Sequence, residues 1–327
     1  MKLAFLFPGQ GAQSVGMGQA LAEKHPVARH VFETADRALG YRLSDICWKG
    51  PAEELKKTVH TQPALLTHSV AAWKLLEQAG IRPSWVAGHS LGEYSACVAA
   101  GAIGFEEAVR LVHRRGELMY RAGQDRPGTM AAILGLTREQ VDDACARAEG
   151  AGIVVAANLN APGQVVISGE RAAVVRACEN ARTLGAKRAI PLEVSGAFHS
   201  PLMESASQGL SEALEGIAVH DAHVPVVANV SAEPNRRGAD IRAALDAQLL
   251  SAVRWEDSMR QLVAAGAQAF VEVGTGTVLR GLLRSLDKSI VSFNVDDPES
   301  LQATIGGIAE RAGSPVPPSG GAGLEEA

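Results

Sequence analysis

This sequence has few aromatic residues, no two cysteines at C-x-x-C spacing, no long apolar run and no excess of basic charge. Its 327 residues include 31 Lys and Arg against 36 Asp and Glu, and 4% are aromatic. Without a basic excess the chain has little charge with which to neutralise phosphates, which argues against a nucleic-acid-binding protein. Because isolated cysteines are typical of a reduced compartment, neither a disulfide framework nor a zinc site is expected. The four cysteines, each interpreted as buried, are Cys47, Cys97, Cys145 and Cys178.

The N-terminal stretch MKLAFLFPGQGAQ starts as a secretory signal does, with a lysine and an apolar run. Pro8 ends that run early, and no small-residue cleavage site follows it. No other segment is apolar over the length that a bilayer requires. The stretch is therefore predicted to be a first buried strand, and the protein to be soluble and cytoplasmic. A chain of this length, 46% hydrophobic, can bury one large core or two smaller ones.

Apolar runs and amphipathic stretches alternate along most of the chain. Strands that alternate with helices predict an α/β fold, with a mostly parallel sheet covered on both faces. The helical stretches are 14–24, 27–39, 63–79 and 105–121. The predicted strands are 3–7, 85–89, 224–230, 269–274 and 289–295.

The simple alternation of strands and helices ends between Pro127 and Gly196, where the predicted order of elements becomes β-α-β-β-α-β. That order predicts a ferredoxin-like unit inserted into the larger domain. Its first helix is preceded by Thr137, with Gln140 three residues later, as in a capping box. The predicted organisation is a catalytic domain of 1–127 and 197–312, a ferredoxin-like subdomain of 128–196, and a Pro/Gly-rich, disordered tail of 313–327.

The segment VAGHSLGEYS (86–95) contains G-x-S-x-G directly after an apolar run. A strand, this turn and a helix can hold the hydroxyl of Ser90 away from the backbone as a nucleophile. Serine hydrolases and acyltransferases both use the pattern, and a plain loop serine is the alternative. The hydroxyl needs a base. Among nine histidines, His199 in SGAFHSP is preferred to His89 and His113, because it lies on a loop where the inserted unit rejoins the main domain.

A buried arginine is predicted on the helix from 105 to 121. Arg115 has only apolar neighbours three and four positions away, so its guanidinium lies on the core-facing stripe. Such a charge needs a partner, which could be an internal Asp or Glu or the carboxylate of a substrate. The residues alone leave both open. FPGQGAQ (7–13) follows the first strand and has neither a P-loop nor a dinucleotide-binding spacing, which favours Gln10 as an oxyanion or substrate contact.

Six segments in register resemble one family, over about residues 1–310. The family is the malonyl-CoA:acyl carrier protein transacylases, together with the related acyltransferase domains of polyketide synthases. The resemblance implies a hydrolase-like α/β domain with an inserted ferredoxin-like subdomain. The segments are FPGQGAQ, TQPALLTHS (61–69), GHSLGEYSA (88–96), NAPGQVVISG (160–169), SGAFHSPLM (195–203) and EVGTGTVLRGL (272–282).

The resemblance also implies roles for individual residues. Ser90 would be the nucleophile and His199 its base, oriented by the main-chain carbonyl of Gln248. The family's Asn-Pro is replaced here by Ser251-Ala252. The implied oxyanion hole consists of the amides of Gln10 and Leu91, and the implied substrate-binding residues are Arg115 for the malonyl carboxylate, Asn160, and Phe198, which would crowd an α-methyl group.

The resemblance implies malonyl transfer from malonyl-CoA to an acyl carrier protein through an acyl-serine, with no metal or redox cofactor. The phosphopantetheine would be carried by the partner, and a monomer is expected. A discrete polyketide acyltransferase, a serine hydrolase and a non-catalytic carrier-binding module are the alternatives. Carrier proteins are usually acidic, so a local basic surface is needed. Its candidates, for each of which a solvated side chain is the preferred interpretation when it is taken singly, are Lys187, Arg188, Arg280, Arg284 and Lys288.

Overall fold

Two β-sheets organise the chain in the computed structural model, which describes residues 1–313. The predicted disordered tail, 313–327, lies outside the described residues except for Gly313. The strands are β1 (Leu3–Phe7), β2 (Trp85–Gly88), β3 (Gly128–Leu134), β4 (Val154–Ala161), β5 (Gln164–Glu170), β6 (Arg188–Pro191), β7 (Val226–Val227), β8 (Pro234–Asn235), β9 (Ala269–Val273) and β10 (Ser292–Val295).

Helices cover the sheets and supply most of the remaining core. None of those within the described residues combines the length and apolarity needed to cross a membrane. The α-helices are α1 (Gln19–Lys24), α2 (Pro26–Leu39), α3 (Leu43–Lys49), α4 (Ala52–Lys56), α5 (Thr58–Gln78), α6 (Gly92–Ala99), α7 (Phe105–Asp125), α8 (Arg138–Ala146), α9 (Arg171–Thr183), α10 (Glu204–Glu215), α11 (Gly238–Gln248), α12 (Trp255–Ala264), α13 (Val278–Leu286) and α14 (Pro298–Ala312).

The larger sheet has the strand order β10-β9-β1-β2-β7-β8. All its pairings are parallel except that of β7 with β8, so the predicted mostly parallel sheet is confirmed. The central strand β1, LAFLF, is buried at every position, as a strand covered on both faces must be. Because Phe7 is in register with Gly88, the loops that follow β1 and β2 leave the sheet side by side.

The second sheet is antiparallel throughout, in the order β4-β5-β3-β6. Its strands and the helices α8 and α9 follow one another as β-α-β-β-α-β, the order that the sequence predicts. The capping box between Thr137 and Gln140 at the start of α8 is present. Residues between Ala131 and Ala189 form a hydrophobic cluster of their own against this sheet.

Several predicted boundaries were wrong. The helix placed at 63–79 begins at Thr58 and contains Pro63, although proline favours a first turn. The helix placed at 14–24 begins only at Gln19, because Gly16 and Gly18 have left-handed backbone angles. The strand placed at 224–230 pairs only over Val226–Val227, and the strand placed at 289–295 begins at Ser292.

Candidate active site

Ser90 lies on a sharp turn between β2 and α6, with a φ of 51°. This left-handed conformation costs a non-glycine residue about 1–3 kcal/mol and is found where a fold holds a reactive group in place. A Cβ on Gly88 would overlap the backbone of Gly92, and a Cβ on Gly92 would overlap the carbonyl of Phe7. Gly88 is therefore required by the close approach of β2 to the start of α6, and Gly92 by the close approach of the turn to β1.

The base predicted for Ser90 is within hydrogen-bonding distance of it. Ser90 Oγ is 2.8 Å from His199 Nε2, and His199 Nδ1 is 3.1 Å from the main-chain carbonyls of both Gln248 and Ser251. These carbonyls can only accept, so Nδ1 carries the proton and Nε2 faces the serine as an acceptor. Burial, reinforced by the positive charge of Arg115, lowers the pKa of His199 to about 3. The imidazole is therefore neutral at physiological pH, the state that a general base requires.

Arg115 is 1% exposed, and it lies beside the serine. Its Nη2 donates to Ser90 Oγ at 3.2 Å and to Gln248 Oε1 at 3.0 Å, and its Nη1 donates to Gln62 Oε1 at 2.9 Å. The guanidinium also lies over the ring of Tyr94, 5.4 Å from its centroid. Within residues 1–313 no carboxylate is within 4.0 Å of it, so the internal Asp or Glu that the sequence left open is not its partner.

The remaining predicted residues line one cleft of ≈ 270 Å³ around Ser90. The amides of Gln10 and Leu91 donate to no acceptor within the described part of the chain, and the Gln10 side chain bonds Thr58 at 3.3 Å. Phe198 is 6% exposed and forms part of the wall. The apolar wall is completed by Met119, Met130, Val166, Leu192, Val194, Val278, Leu279 and Leu282.

His89, which sequence reasoning set aside as the base, points away from Ser90 Oγ. Its Nε2 is 2.8 Å from Asn160 Oδ1, and its ring packs against Trp255 with centroids 5.4 Å apart. Asn160 lies on β4, so this hydrogen bond ties the serine turn to the antiparallel sheet. His113 packs near Tyr41, outside the cleft.

The candidate basic residues differ in exposure. Lys187, Arg188, Arg284 and Lys288 are exposed. Arg280 is half-buried, and its guanidinium donates to Asn294 and Ser292.

Sequence reasoning missed three polar residues that hold the site together. Asn229 accepts a hydrogen bond from the amide of Ser90 at 2.7 Å and donates to the carbonyl of Gly88 at 2.7 Å. Glu93 is 2% exposed and accepts from Gln248 and Asn229. Gln62 holds Arg115 from α5. Gln62 and Glu93 lie within TQPALLTHS and GHSLGEYSA, two of the segments that carry the resemblance, and this was the signal that could have found them; Asn229 lies in none of the six segments.

Comparison with known proteins gives this arrangement a family. Residues 4–301 match the family described as acyl transferase domain. A protein of Bacillus subtilis (strain 168) called malonyl CoA-acyl carrier protein transacylase is 48% identical over 312 residues, which cover 94% of this chain and 98% of that protein. The chain belongs to this transacylase family. The Escherichia coli (strain K12) protein of the same name is 44% identical over 305 residues, covering 93% of this chain and 99% of the relative.

Solved structures of transacylases have the same fold. The malonyl CoA-acyl carrier protein transacylase of Coxiella burnetii matches with a TM-score of 0.91 and 39% identity, over 94% of this chain and 97% of that chain. A malonyl-transacylase in complex with a type II polyketide synthase acyl-carrier protein matches with a TM-score of 0.91 and 43% identity, over 94% of this chain and 100% of that chain. The predicted α/β fold is confirmed, and the protein is an acyltransferase.

Proposed function

We propose that this protein transfers a malonyl group from malonyl-CoA to the phosphopantetheine thiol of an acyl carrier protein. The observation that carries the proposal is the environment of Arg115. It is a fully buried cation whose hydrogen-bond partners are all neutral, and its Nη2 lies 3.2 Å from the oxygen that would carry the acyl group. An acyl chain on Ser90 that ends in a carboxylate would bring to this guanidinium the anion that it lacks.

In the first half of the proposed reaction, His199 Nε2 takes the proton of Ser90 as Oγ attacks the thioester carbonyl. The negative charge moves to the carbonyl oxygen, which the amides of Gln10 and Leu91 would stabilise. When the tetrahedral intermediate collapses, the C–S bond breaks and coenzyme A leaves with the proton from the imidazolium. The main-chain carbonyls of Gln248 and Ser251 keep the ring oriented through Nδ1–H.

The second half repeats these steps with a different thiol. His199 deprotonates the phosphopantetheine thiol of the carrier protein, whose sulfur attacks the malonyl ester. The C–O bond to Ser90 breaks, and the serine recovers its proton from the imidazolium. In the interval between the two halves, Arg115 would hold the malonyl carboxylate, and the apolar wall of the cleft would exclude the water that a hydrolase admits.

The acyl carrier protein as partner, the oligomeric state and the compartment are parts of the same proposal. An acidic carrier would meet the exposed side chains of Lys187, Arg188, Arg284 and Lys288, with effects mainly on association rate and salt dependence.

We also propose a cytoplasmic monomer in which residues 128–196 form a ferredoxin-like subdomain between the two parts of the catalytic domain, 1–127 and 197–312. The separate hydrophobic cluster of the antiparallel sheet supports that division.

The experiment that tests the function is intact-mass measurement after mixing the protein with malonyl-, methylmalonyl- or acetyl-CoA. We expect a stable malonyl adduct that is absent from Ser90→Ala and is discharged when a holo acyl carrier protein is added. Thioester consumption without a lasting adduct or an acylated carrier would indicate a serine hydrolase instead. Carrier binding that survives in Ser90→Ala, with no acylation of the wild type, would indicate a non-catalytic module.

A further inference from the structure

A buried carboxylate without a cationic partner stands three residues after the nucleophile. Glu93, on α6, is 2% exposed, and within residues 1–313 no Lys, Arg or His nitrogen lies within 4.0 Å of it. Its Oε2 accepts hydrogen bonds from Gln248 Nε2 at 2.7 Å and from the amide of Asn229 at 3.2 Å. Burial raises the pKa of this carboxyl to about 7, because its ionised form is costly away from water, so its presence beside the nucleophile calls for a function.

The carboxylate is one end of a three-residue chain whose other end is Arg115. Between them lies the side-chain amide of Gln248. Its Oε1 accepts from Arg115 Nη2 at 3.0 Å, and its Nε2 donates to Glu93 and also to the carbonyl of Ser90 at 3.0 Å. A guanidinium can only donate, and Oε2 of Glu93, which accepts from both Gln248 and the main chain of Asn229, presents only an acceptor to the amide. The two end groups together therefore permit a single orientation of the amide.

A rotated amide would place its NH₂ against the guanidinium and its oxygen against the carboxylate, which leaves both contacts repulsive. With a neutral amide in place of Glu93, this restriction disappears at one end, because an amide can both donate and accept. The acceptor that Gln248 presents to Arg115 would then be fixed only through the carbonyl of Ser90, which is the longer of the two contacts of Nε2 and the uncharged one. Of the other two acceptors of the guanidinium, one is Gln62 and the second is the reacting hydroxyl of Ser90 itself.

We infer that Glu93 is a positioning residue for substrate selection, which aims Arg115 at the carboxylate of the acyl group by fixing the amide of Gln248. The inference rests on the proposed malonyl transfer. Glu93 touches neither the cleft nor the reacting atoms, so its influence passes through Gln248. Since only an acyl group with a free carboxylate uses Arg115, the loss of Glu93 should affect malonyl-CoA and leave acetyl-CoA nearly unaffected.

A second contact of Glu93 suggests an alternative role, general support of the serine turn, which the experiment must distinguish from substrate selection. The main-chain amide of Asn229 donates to Glu93. The side chain of Asn229 accepts from the main-chain amide of Ser90 and donates to the carbonyl of Gly88. If Glu93 served only the geometry of the serine turn, every acyl-CoA would react more slowly by the same factor. The ratio of malonyl to acetyl acylation therefore distinguishes selection from general support of the fold.

The test is the second-order rate of Ser90 acylation by malonyl-CoA and by acetyl-CoA, followed by mass spectrometry in Glu93→Gln. We expect the malonyl:acetyl ratio to fall about ten- to a hundredfold, the range of one hydrogen bond to a charged group. In an Arg115→Met background the same Glu93→Gln change should alter the ratio less than about twofold, because coupled residues are not additive. The matched control is Glu106→Gln, an exposed glutamate on α7 paired with Arg110, which should change nothing.

An equal fall for both acyl-CoAs, or the same fall with and without Arg115, overturns the inference. If Glu93→Gln does not fold, Gln248→Leu tests the same chain of contacts, because it removes the amide while the main-chain carbonyl that holds His199 remains. An unchanged malonyl:acetyl ratio in Gln248→Leu would likewise overturn it. A wild-type protein that forms no malonyl-serine refutes the proposed function itself, whereas normal wild-type acylation with an unshifted variant refutes only the role of Glu93.

Discussion

Replacing Arg115 by methionine should invert the preference of the enzyme for the acyl group. Methionine fills much of the space of the arginine stem in a buried site, and it removes the donors that would hold a carboxylate. The three groups that accept hydrogen bonds from the guanidinium are neutral, so the substitution breaks no ion pair with a buried carboxylate. The variant should therefore fold, and its defect should lie in acyl selection.

The size of the effect follows from the number of contacts. A planar guanidinium can make two hydrogen bonds to a carboxylate, each charge-assisted and worth about 1.5–3 kcal/mol. Loss of both amounts to about 3–6 kcal/mol, which is about 10²–10⁴ in the relative rate of malonyl over acetyl transfer. Acetyl transfer itself should rise or stay constant, because the acetyl group leaves the buried charge of Arg115 without an anion.

The assay is the pre-steady-state rate of adduct formation on Ser90 with each acyl-CoA at subsaturating concentration. The neighbouring Arg114 supplies the control, since it lies on the same helix but is exposed and paired with Glu117 at 3.1 Å. Arg114→Met should leave the malonyl:acetyl ratio within about twofold, as expected of a surface ion pair. A ratio in Arg115→Met equal to that of the wild type would refute the assignment of the malonyl carboxylate to this arginine.

Three further predictions concern the base, the cleft and the turn. His199 has a folded-state pKa of about 3 against an ordinary 6.5, so its contribution to stability is present above pH 6.5 and is lost as the pH falls. Between pH 7 and 4.5 the free energy of unfolding, measured in urea, should therefore fall by about 2–3 kcal/mol more in the wild type than in His199→Ala, and equal losses would contradict this. Phe198→Ser should raise the methylmalonyl:malonyl acylation ratio by about 10- to 100-fold, and an unchanged ratio would remove Phe198 from selection. Gly88→Ala should destabilise the protein by more than about 4 kcal/mol in thermal or urea unfolding, because its Cβ would overlap Gly92, whereas Gly150→Ala, with nothing within 4 Å of the added Cβ, should be close to neutral.

The parts of the site that the sequence predicted are those set by short-range rules. Ser90 was predicted because a strand, two tightly packed glycines and a helix lie within ten residues. Arg115 was predicted to be buried because residues three and four positions away are apolar, and its 1% exposure confirms that burial. The strands β1 and β9 were predicted almost to the residue, since central parallel strands are mostly apolar, although Glu272 interrupts the run in β9.

The parts that the sequence did not predict depend on contacts between distant segments. Asn229 reaches Ser90 across 139 positions, and Gln62 reaches Arg115 across 53. Neutral polar side chains such as these show no hydrophobic periodicity, and only the fold shows which of them are buried together. The role of Ser251 in holding His199 is a main-chain contact, so the side chain that replaced the family's asparagine gave no indication of it.

The neutral partners of Arg115 bear on catalysis as well as on selection. Gln62 and Gln248 accept hydrogen bonds from the guanidinium without cancelling its charge, and that charge contributes to the low pKa of His199. When the carboxylate of an acyl group pairs with Arg115, much of the positive field at the imidazole is removed, so the imidazolium that forms as Ser90 gives up its proton is less costly. An acetyl group brings no such compensation. The arginine should therefore discriminate twice, once through direct contact with the carboxylate and once through the basicity of His199, and removing its charge should relieve the penalty on acetyl transfer at both points.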